Sequence, residues 1–410
     1  MRDDDLRLVL YSHDRGGQGH TRRNLALAGA LARQLPVLTG RRAAGVLLTG
    51  AGVAASGAWP EGFDQVVLPG GGQDADGRVP DGPAVSAARV RSEMVDAVLT
   101  DVRPHLVVVD GRPWGPDREL LEPLLRLRAG SPGTVVVLGL PEVLGESWAA
   151  APEWVAPEDV GLLQEAYDQI WVYGDPAVHD PLSTGEIPAA LAGLVRCTGY
   201  LTAGAAPGRR TAGGGAPHVL TLAGTGPEGS RLALAAARTR VPHGHRHVLV
   251  TGPGMPAEHA DRVRAAAVPG TLVLTGLTGL TGLPGLPGLP DALAEVADAA
   301  AVVSSGGYGP VAEILGTDAP ALVVPQAGAG PEQLARARAL QGHGAVDVLT
   351  PDSLTGAALG GWLHRVVGTV RPRGHLALDG LRVAPALAAC LLPGPCPEDS
   401  SELVLAGLNA

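Results

Sequence analysis

Short apolar runs alternate along this chain with stretches in which apolar residues recur every three or four positions. The runs LRLVLYS (Leu6–Ser12), HLVVVD (His105–Asp110) and TVVVLG (Thr134–Gly139) are apolar almost throughout, which is typical of strands in a parallel sheet covered on both faces. The stretches Thr21–Gln34 and Val85–Thr100 have the period of amphipathic helices. This alternation predicts a doubly wound α/β domain.

The alternation stops once and then resumes. Residues 201–217 are rich in Gly, Ala and Pro without periodicity, and we interpret them as a linker. A second series of strand-like runs follows, beginning with HVLTLAG. We therefore predict two Rossmann-like domains, 1–200 and 218–374, that face each other across a cleft. Residues 375–410 are predicted to form a C-terminal helix and tail, with packing back onto the first domain as one hypothesis, and Pro385 is expected to kink or split that helix.

Composition excludes several classes of partner. The net charge is −10 and the basic residues form isolated pairs, which argues against nucleic acid or an anionic membrane as partner. No stretch has the length and apolar character of a membrane span, and the N-terminus does not resemble a signal peptide. Three cysteines without CxxC spacing favour reduced thiols in the cytoplasm. The sequence does not indicate an oligomeric state.

Two histidines and several glycines crowd the turn after the first predicted strand, in YSHDRGGQGHTRRN. Glycines between a strand and a helix let the backbone approach a ligand, and the helix N-terminus favours negative charge. His20, at the mouth of this turn, is a candidate general base. In the alternative interpretation, His13 and His20 only satisfy backbone groups. Arg22 and Arg23, at a helix start, indicate either an anionic partner or solvated side chains.

A second cluster lies in SSGGYGPVAEIL and the segment after it. Gly306 and Gly307 at a helix N-terminus can hold a diphosphate through backbone N–H groups. Glu313, further along the same helix, can accept hydrogen bonds from ribose hydroxyls, and Glu332 and Gln333 can bind sugar hydroxyls. The pattern therefore favours a nucleotide-sugar as ligand.

The segment SGGYGPVAEIL resembles the donor-binding region of family 28-type GT-B glycosyltransferases, the group that contains the peptidoglycan N-acetylglucosaminyltransferase. The stretches YSHDRGGQGHTRRNLALA, VVVDGRPWGPDREL and VLVTGPGMP resemble a poorly characterised bacterial branch of that group. The resemblance extends from about Leu8 to about Leu392. Two features depart from it: Pro310 stands where the branch usually has a polar residue, and the Gly-Leu-X repeat at 276–290 looks like an inserted loop.

The resemblance implies transfer of a sugar from a nucleoside-diphosphate-sugar to a small-molecule acceptor, with inversion and without a metal or other cofactor. It implies His20 as the base, Asp110 as a residue that orients a histidine or binds acceptor, and His13 and Asp14 as second candidates. The donor residues that it implies are Gly224, Thr225, Gly252, Ser305, Gly306, Gly307, Tyr308, Glu313, Glu332 and Gln333. The predicted acceptor residues are Asp14, Gly17, Gly19, Arg23, Trp114 and Trp148.

Several alternatives stay open. Trp114, Trp148 and Trp154 either line an acceptor pocket or pack in the core. The Asp74–Asp76 pair has the form of a metal site but lies in a glycine-rich loop, which favours solvated carboxylates. A nucleotide-sugar 2-epimerase or hydrolase and a non-catalytic sugar-nucleotide-binding protein are rival functions, whereas the missing GxGxxG argues against an oxidoreductase. The sequence identifies neither the sugar, the nucleotide nor the acceptor, although a soluble natural-product aglycone is favoured.

Overall fold

The computed structural model describes residues 2, 4–13, 19–50, 59–69, 84–145, 154, 156–202, 217–224, 226–252, 254–275, 296–326, 328 and 330–394. The chain divides into two compact units. Among the described residues, unit 1 contains those up to 201 together with 379–394, and unit 2 contains 202–378. The predicted linker and the Gly-Leu-X repeat lie almost entirely outside the described residues.

Unit 1 is built on a seven-stranded parallel sheet, sheet A, with strand order β3-β2-β1-β4-β5-β6-β7. Its strands are β1 (Leu6–Ser12), β2 (Ala43–Thr49), β3 (Phe63–Val67), β4 (Leu106–Asp110), β5 (Val135–Pro141), β6 (Gln169–Tyr173) and β7 (Val195–Cys197). β1, β2 and β4 are buried along almost their whole length, as expected where helices cover both faces.

Among the described residues, four helices follow strands of sheet A. They are α1 (Gly19–Thr39), α2 (Ala84–Val102), α3 (Leu121–Gly130) and α4 (Pro157–Ala166), and a 3-10 helix covers Ala189–Leu194. One apolar cluster, which includes Val109, Leu124 and Leu163, joins α2, α3 and α4 to the sheet. Val108 and Leu10 point to the opposite face and are equally buried.

Unit 2 repeats the same topology. Its six-stranded parallel sheet, sheet B, has the order β10-β9-β8-β11-β12-β13. The strands are β8 (His218–Leu222), β9 (Arg246–Thr251), β10 (Thr271–Thr275), β11 (Ala301–Ser304), β12 (Ala321–Val323) and β13 (Asp347–Val348). The helices of its described part include α5 (Ser230–Ala237), α6 (Ala257–Ala266), α7 (Tyr308–Leu315), α8 (Glu332–Gly342) and α9 (Gly356–Val366), with 3-10 turns at Pro227–Gly229 and Pro351–Ser353.

The last described helix, α10 (Gly380–Leu391), lies in unit 1 and packs on α1. It is continuous through Pro385, which differs from the expected split. Proline has no N–H, so the carbonyl four residues earlier loses its helical donor. Here the side-chain amide of Gln34 on α1 donates to the Leu381 carbonyl at 2.7 Å and replaces that donor.

The described helices include none that is long and apolar enough to cross a membrane. Cys197 is a free thiol whose pKa burial raises to about 11. Cys390 is disulfide-bonded, which differs from the reduced thiols expected from the sequence.

Candidate active site

In each sheet, the order of the strands reverses direction between two neighbouring strands, and this position is called the switch point. Ligands of open parallel sheets bind at the carboxyl ends of the strands at the switch point. In sheet A these strands are β1 and β4, which end side by side with Ser12 opposite Asp110. Helix α1 begins at Gly19, and its Asn24 amide donates to the Tyr11 carbonyl at 2.8 Å. This contact anchors the first turns of α1, including His20, over the end of β1.

His20 and Asp110 form a hydrogen-bonded pair at this switch point. The distance from His20 Nδ1 to Asp110 Oδ1 is 2.9 Å. The aspartate side chain has no exposed surface, whereas 36% of the histidine side chain is exposed. The pair is therefore a buried carboxylate behind an imidazole that reaches solvent, an arrangement in which the carboxylate can orient and charge-stabilise the ring.

Arg23, one turn along α1, binds the same carboxylate. Its Nε donates to Asp110 Oδ2 at 2.7 Å, and its Nη2 forms a short hydrogen bond with Oδ1. Only 7% of the arginine side chain is exposed, and the guanidinium lies over the Tyr173 ring with 5.7 Å to its centroid. The forked geometry is the strong, bidentate form of an arginine–carboxylate pair. Arg23 thus contacts Asp110, whereas the sequence prediction assigned it to the acceptor.

Asp110 is held as a carboxylate. Burial by itself raises the pKa of an aspartate, but the Arg23 charge and the hydrogen bonds from Arg23 and His20 outweigh it, so the pKa of Asp110 lies below its usual range.

His20 Nδ1 has two close partners in this cluster. It lies 2.9 Å from Asp110 Oδ1 and also 2.9 Å from Arg23 Nη2. A protonated Nδ1 donates to the carboxylate, whereas an unprotonated Nδ1 accepts from the guanidinium. In either tautomer Nδ1 is the ring nitrogen that faces the buried cluster.

The segment after β4 fits tightly around His20. Gly111 has φ +98°, and a Cβ there would lie 3.1 Å from His20 Cε1. A buried network holds the rest of this segment: Glu119 accepts from Tyr11 Oη and from Arg91 Nε, each at 2.9 Å. Trp114 is 1% exposed and packs on Tyr167, so its ring has no surface left for an acceptor and the core interpretation applies.

The other predicted residues of unit 1 are less central. His13 follows β1 and packs against Gly50, where a Cβ would lie 2.8 Å from His13 Nδ1. Gly19 is exposed at the first residue of α1. Asp14, Gly17, Trp148 and the Asp74–Asp76 pair lie outside the described residues.

In sheet B the switch point lies between β8 and β11, where Leu222 is opposite Ser304. Gly224 follows β8 with φ +87°, and a Cβ there would lie 2.5 Å from Gln326 Nε2 and 2.8 Å from Ser305 Oγ. The next loop is equally close, because the Gly252 N–H donates to the Gly224 carbonyl at 3.0 Å. Only glycine allows this approach of backbone and side chains. Thr225 lies outside the described residues.

Helix α7 starts directly at this edge. Gly307 is its N-cap residue and provides no side-chain cap, and the N-terminus of a helix favours an anion. Pro310, the departure from the family pattern, is the third helical residue, a first-turn position where proline is tolerated. Glu313 is on the same helix and has a buried carboxylate oxygen.

Gln333 contacts Gln326, whereas the sequence suggested that it binds sugar hydroxyls. Its Oε1 accepts from the Gln326 backbone N–H at 3.0 Å, and its Nε2 lies 3.4 Å from Gln326 Oε1. The Gln333 side chain is 7% exposed and holds the segment after β12, whereas Glu332 is half-buried at the start of α8. Sequence analysis missed Gln326, although a polar residue directly after the strand PALVVP was its signal.

Two buried arginines support the same region. Arg336 donates to the Gly306 carbonyl at 3.1 Å and lies over the Tyr308 ring, 5.7 Å from its centroid. Arg373 donates to the carbonyls of Thr317 and Ala319 just after α7, the latter at 2.9 Å. A cation at the C-terminus of a helix is favourable, so Arg373 fixes the helix that carries Glu313.

Among the described residues, no group of three or more His, Cys, Asp and Glu side chains has the arrangement of a metal site. Of the three alternating histidines, His243 and His245 precede β9 and His247 lies in it. His247 is buried and its Nε2 lies 2.9 Å from Thr221 Oγ1, while His245 lies near the His243 carbonyl.

The fold is similar to that of solved glycosyltransferases and epimerases. The glycotransferase of kitacinnamycin aligns with a TM-score of 0.55 at 16% identity, over 94% of this chain and 99% of that chain. CalG4, the calicheamicin glycosyltransferase, gives 0.54 at 17% identity, over 100% and 99% of the two chains. A UDP-N-acetylglucosamine 2-epimerase gives 0.54 at 12% identity, over 93% and 94%.

Comparison with family models gives no match. Comparison with curated proteins gives none either. The two parallel sheets and these structural similarities establish the fold: two Rossmann-like α/β domains of the GT-B type.

Proposed function

We propose that this protein is a glycosyltransferase that moves a sugar from a nucleoside-diphosphate-sugar to a small-molecule acceptor, with inversion and without a metal ion. The observation that carries the proposal is the hydrogen bond between His20 and a fully buried Asp110 at the switch point of sheet A. An imidazole backed by a carboxylate suits the removal of a proton from an acceptor hydroxyl. Solved proteins of similar fold, including CalG4, are named as glycosyltransferases, which supports the same chemistry.

The proposed reaction is a single displacement. His20 Nε2 takes the proton of the acceptor hydroxyl while the acceptor oxygen bonds to the anomeric carbon. The bond between that carbon and the phosphate oxygen breaks, and the nucleoside diphosphate leaves with the electron pair. Asp110 stabilises the imidazolium that forms, and the N–H groups at the start of α7, near Gly307, stabilise the leaving diphosphate.

The donor is proposed to bind unit 2 at the carboxyl edge of sheet B. Gly224, Gly306 and Gly307 would let the diphosphate approach the backbone, Glu313 would accept hydrogen bonds from ribose, and Glu332 would bind sugar hydroxyls. We propose that Gln333 acts through Gln326, whose backbone it holds, rather than on the sugar.

Nucleotide binding is the first test. We expect one of UDP, dTDP and GDP to raise the Tm of the protein, because a ligand that binds only the folded state stabilises it. The Glu313→Gln variant should show a smaller rise, and His20→Gln should show the full rise. If none of the three nucleotides at millimolar concentration changes the Tm, the proposal is wrong.

A 2-epimerase or hydrolase is the second candidate, since a UDP-N-acetylglucosamine 2-epimerase has the same fold. Incubation of the matching sugar nucleotide without acceptor separates the two. Rapid epimerisation or loss of the donor favours this candidate, whereas a stable donor that is consumed only with an added acceptor favours transfer. A non-catalytic protein would keep its biological activity in His20→Ala and lose it in Glu313→Ala.

A further inference from the structure

The side chain of Gln326 crosses the carboxyl edge of sheet B. Gln326 is half-buried and lies three residues after the end of β12. Its Nε2 donates to the Ala223 carbonyl, just after β8, at 3.4 Å. Because β11 lies between β8 and β12 in the sheet, this side chain spans the switch point between β8 and β11.

The orientation of the Gln326 amide follows from its two neighbours. The Gln333 amide is fixed first, because its Oε1 accepts from the Gln326 backbone N–H at 3.0 Å. Gln333 Nε2 then faces Gln326 Oε1 at 3.4 Å, while Gln326 Nε2 faces the Ala223 carbonyl. A rotated Gln326 amide would place nitrogen against nitrogen and oxygen against oxygen. The nitrogen of Gln326 is therefore on the side of β8.

Gln326 Nε2 and Ser305 Oγ converge on the same point beside Gly224. A Cβ on Gly224 would lie 2.5 Å from Nε2 and 2.8 Å from Oγ. Both groups can donate a hydrogen bond without carrying a charge. The amide has two N–H groups, and the contact with the Ala223 carbonyl engages one of them. Two converging donors at a switch point suit an anionic oxygen.

The carboxylates of the same edge lie further along the loop that follows Gln326. A Cβ on Gly328 would lie 2.5 Å from Glu228 Oε1, and the Glu332 carboxylate lies against Gly330. Carboxylates accept hydrogen bonds from sugar hydroxyls, but they repel a phosphate. The uncharged donors beside β8 are therefore better suited to phosphate than this loop is.

We propose that Gln326 binds the sugar donor directly, with Nε2 donating a hydrogen bond to an oxygen of the diphosphate beside Ser305. Gln333 is then a positioning residue, because it holds both the backbone N–H and the side-chain oxygen of Gln326. This assignment rests on the proposed function, and it moves the ligand contact from Gln333, where the sequence placed it, to a residue outside the family pattern.

Gln326→Glu is the main test, because the two side chains have the same shape. The variant keeps the backbone N–H that Gln333 holds, but it replaces Nε2 by a carboxylate oxygen. Calorimetry with UDP, dTDP or GDP, whichever binds the unchanged protein, should show a Kd raised about 100-fold, since a hydrogen bond is lost and repulsion is added. The Kd of the corresponding nucleoside, measured by ligand-observed NMR, should stay the same. Gln341→Glu, the same change at an exposed position of α8, should alter neither Kd.

Gln326→Leu covers the case in which the glutamate variant does not fold. Leucine removes the donor without adding a charge, so the Kd of the diphosphate should rise by about tenfold and that of the nucleoside should again stay constant. Equal losses for nucleoside and diphosphate would mean that Gln326 only holds the strand ends together. An unchanged diphosphate Kd with a raised Kd for the sugar nucleotide would mean that it binds the sugar. Either result overturns the proposal.

The same titrations separate this proposal from the proposed function. If a nucleoside diphosphate binds the unchanged protein and the Gln326 variants with equal Kd, only the role of Gln326 is wrong. If none of the three nucleoside diphosphates binds the unchanged protein, both proposals are wrong.

Discussion

The side chain of Asp110 has no exposed surface, and it carries its charge between an imidazole and a guanidinium. Removing one partner from such a buried arrangement is costly, typically about 3–5 kcal/mol, because the charge that remains is no longer compensated. At the scale of single residues, the candidate site therefore depends on a few contacts, and removing any one of them leaves a buried charge uncompensated.

Gly111→Ala is expected to impair transfer more than stability. The new Cβ would lie 3.1 Å from His20 Cε1, at a backbone φ of +98°, so the ring that pairs with Asp110 must shift. Gly40→Ala is the matched control, because Gly40 has φ +71° with nothing within 4 Å of its Cβ. Both variants should lose about 1–2 kcal/mol of unfolding free energy through backbone strain. Only Gly111→Ala should lose transfer activity, and equal activity in the two variants would contradict the packing described.

His247 makes unit 2 sensitive to acid. Burial lowers the pKa of His247 to about 4, whereas an unfolded histidine titrates near 6.5. Between these values the unfolded chain binds a proton that the folded chain excludes, so stability falls as the pH falls, by at most about 3 kcal/mol. His247→Leu should remove most of the difference between urea unfolding at pH 7 and at pH 5. His243→Ala, at an exposed position, should preserve it. An unaltered pH dependence in His247→Leu would show that other groups cause it.

At the scale of elements, the apolar runs in the sequence predict most of the strands. The prediction of a strand at Leu6–Ser12 is confirmed at both ends, and that at His105–Asp110 differs by one residue. The short edge strands β7 and β13 were missed, because three and two residues are too few to show a pattern. The continuity of α10 was also missed, since the donor that compensates for Pro385 is Gln34, far away in the sequence.

The Gln34 contact can be tested with a double-mutant cycle. Gln34→Leu should lower the unfolding free energy by about 1–3 kcal/mol, because it leaves the Leu381 carbonyl without a donor. In a Pro385→Ala background, residue 385 regains its N–H and can donate to that carbonyl. Gln34→Leu should then cost markedly less. Equal costs in the two backgrounds, measured by chemical denaturation, would refute the compensation.

At the scale of the whole molecule, the same topology occurs twice, and each sheet presents its predicted ligand residues at its own switch point. His20 with Asp110, and Gly224 with Ser305, could be predicted from sequence because strand ends and glycine-rich turns are local signals. The orientations of Arg23 and Gln333 could not. Each side chain is defined by a partner on another element, Asp110 and Gln326 respectively, which one sequence does not reveal.

We propose that this protein transfers a sugar from a nucleoside-diphosphate-sugar with His20 as the base. The most direct measurement is product formation by mass spectrometry, with the sugar nucleotide selected by the Tm screen and a panel of hydroxylated natural-product aglycones, for the unchanged protein and for His20→Gln. We predict a product heavier than its aglycone by one sugar residue, formed about 10²- to 10⁴-fold more slowly by His20→Gln, although that variant binds the nucleotide equally well. Product formation at the same rate by both proteins would contradict the account.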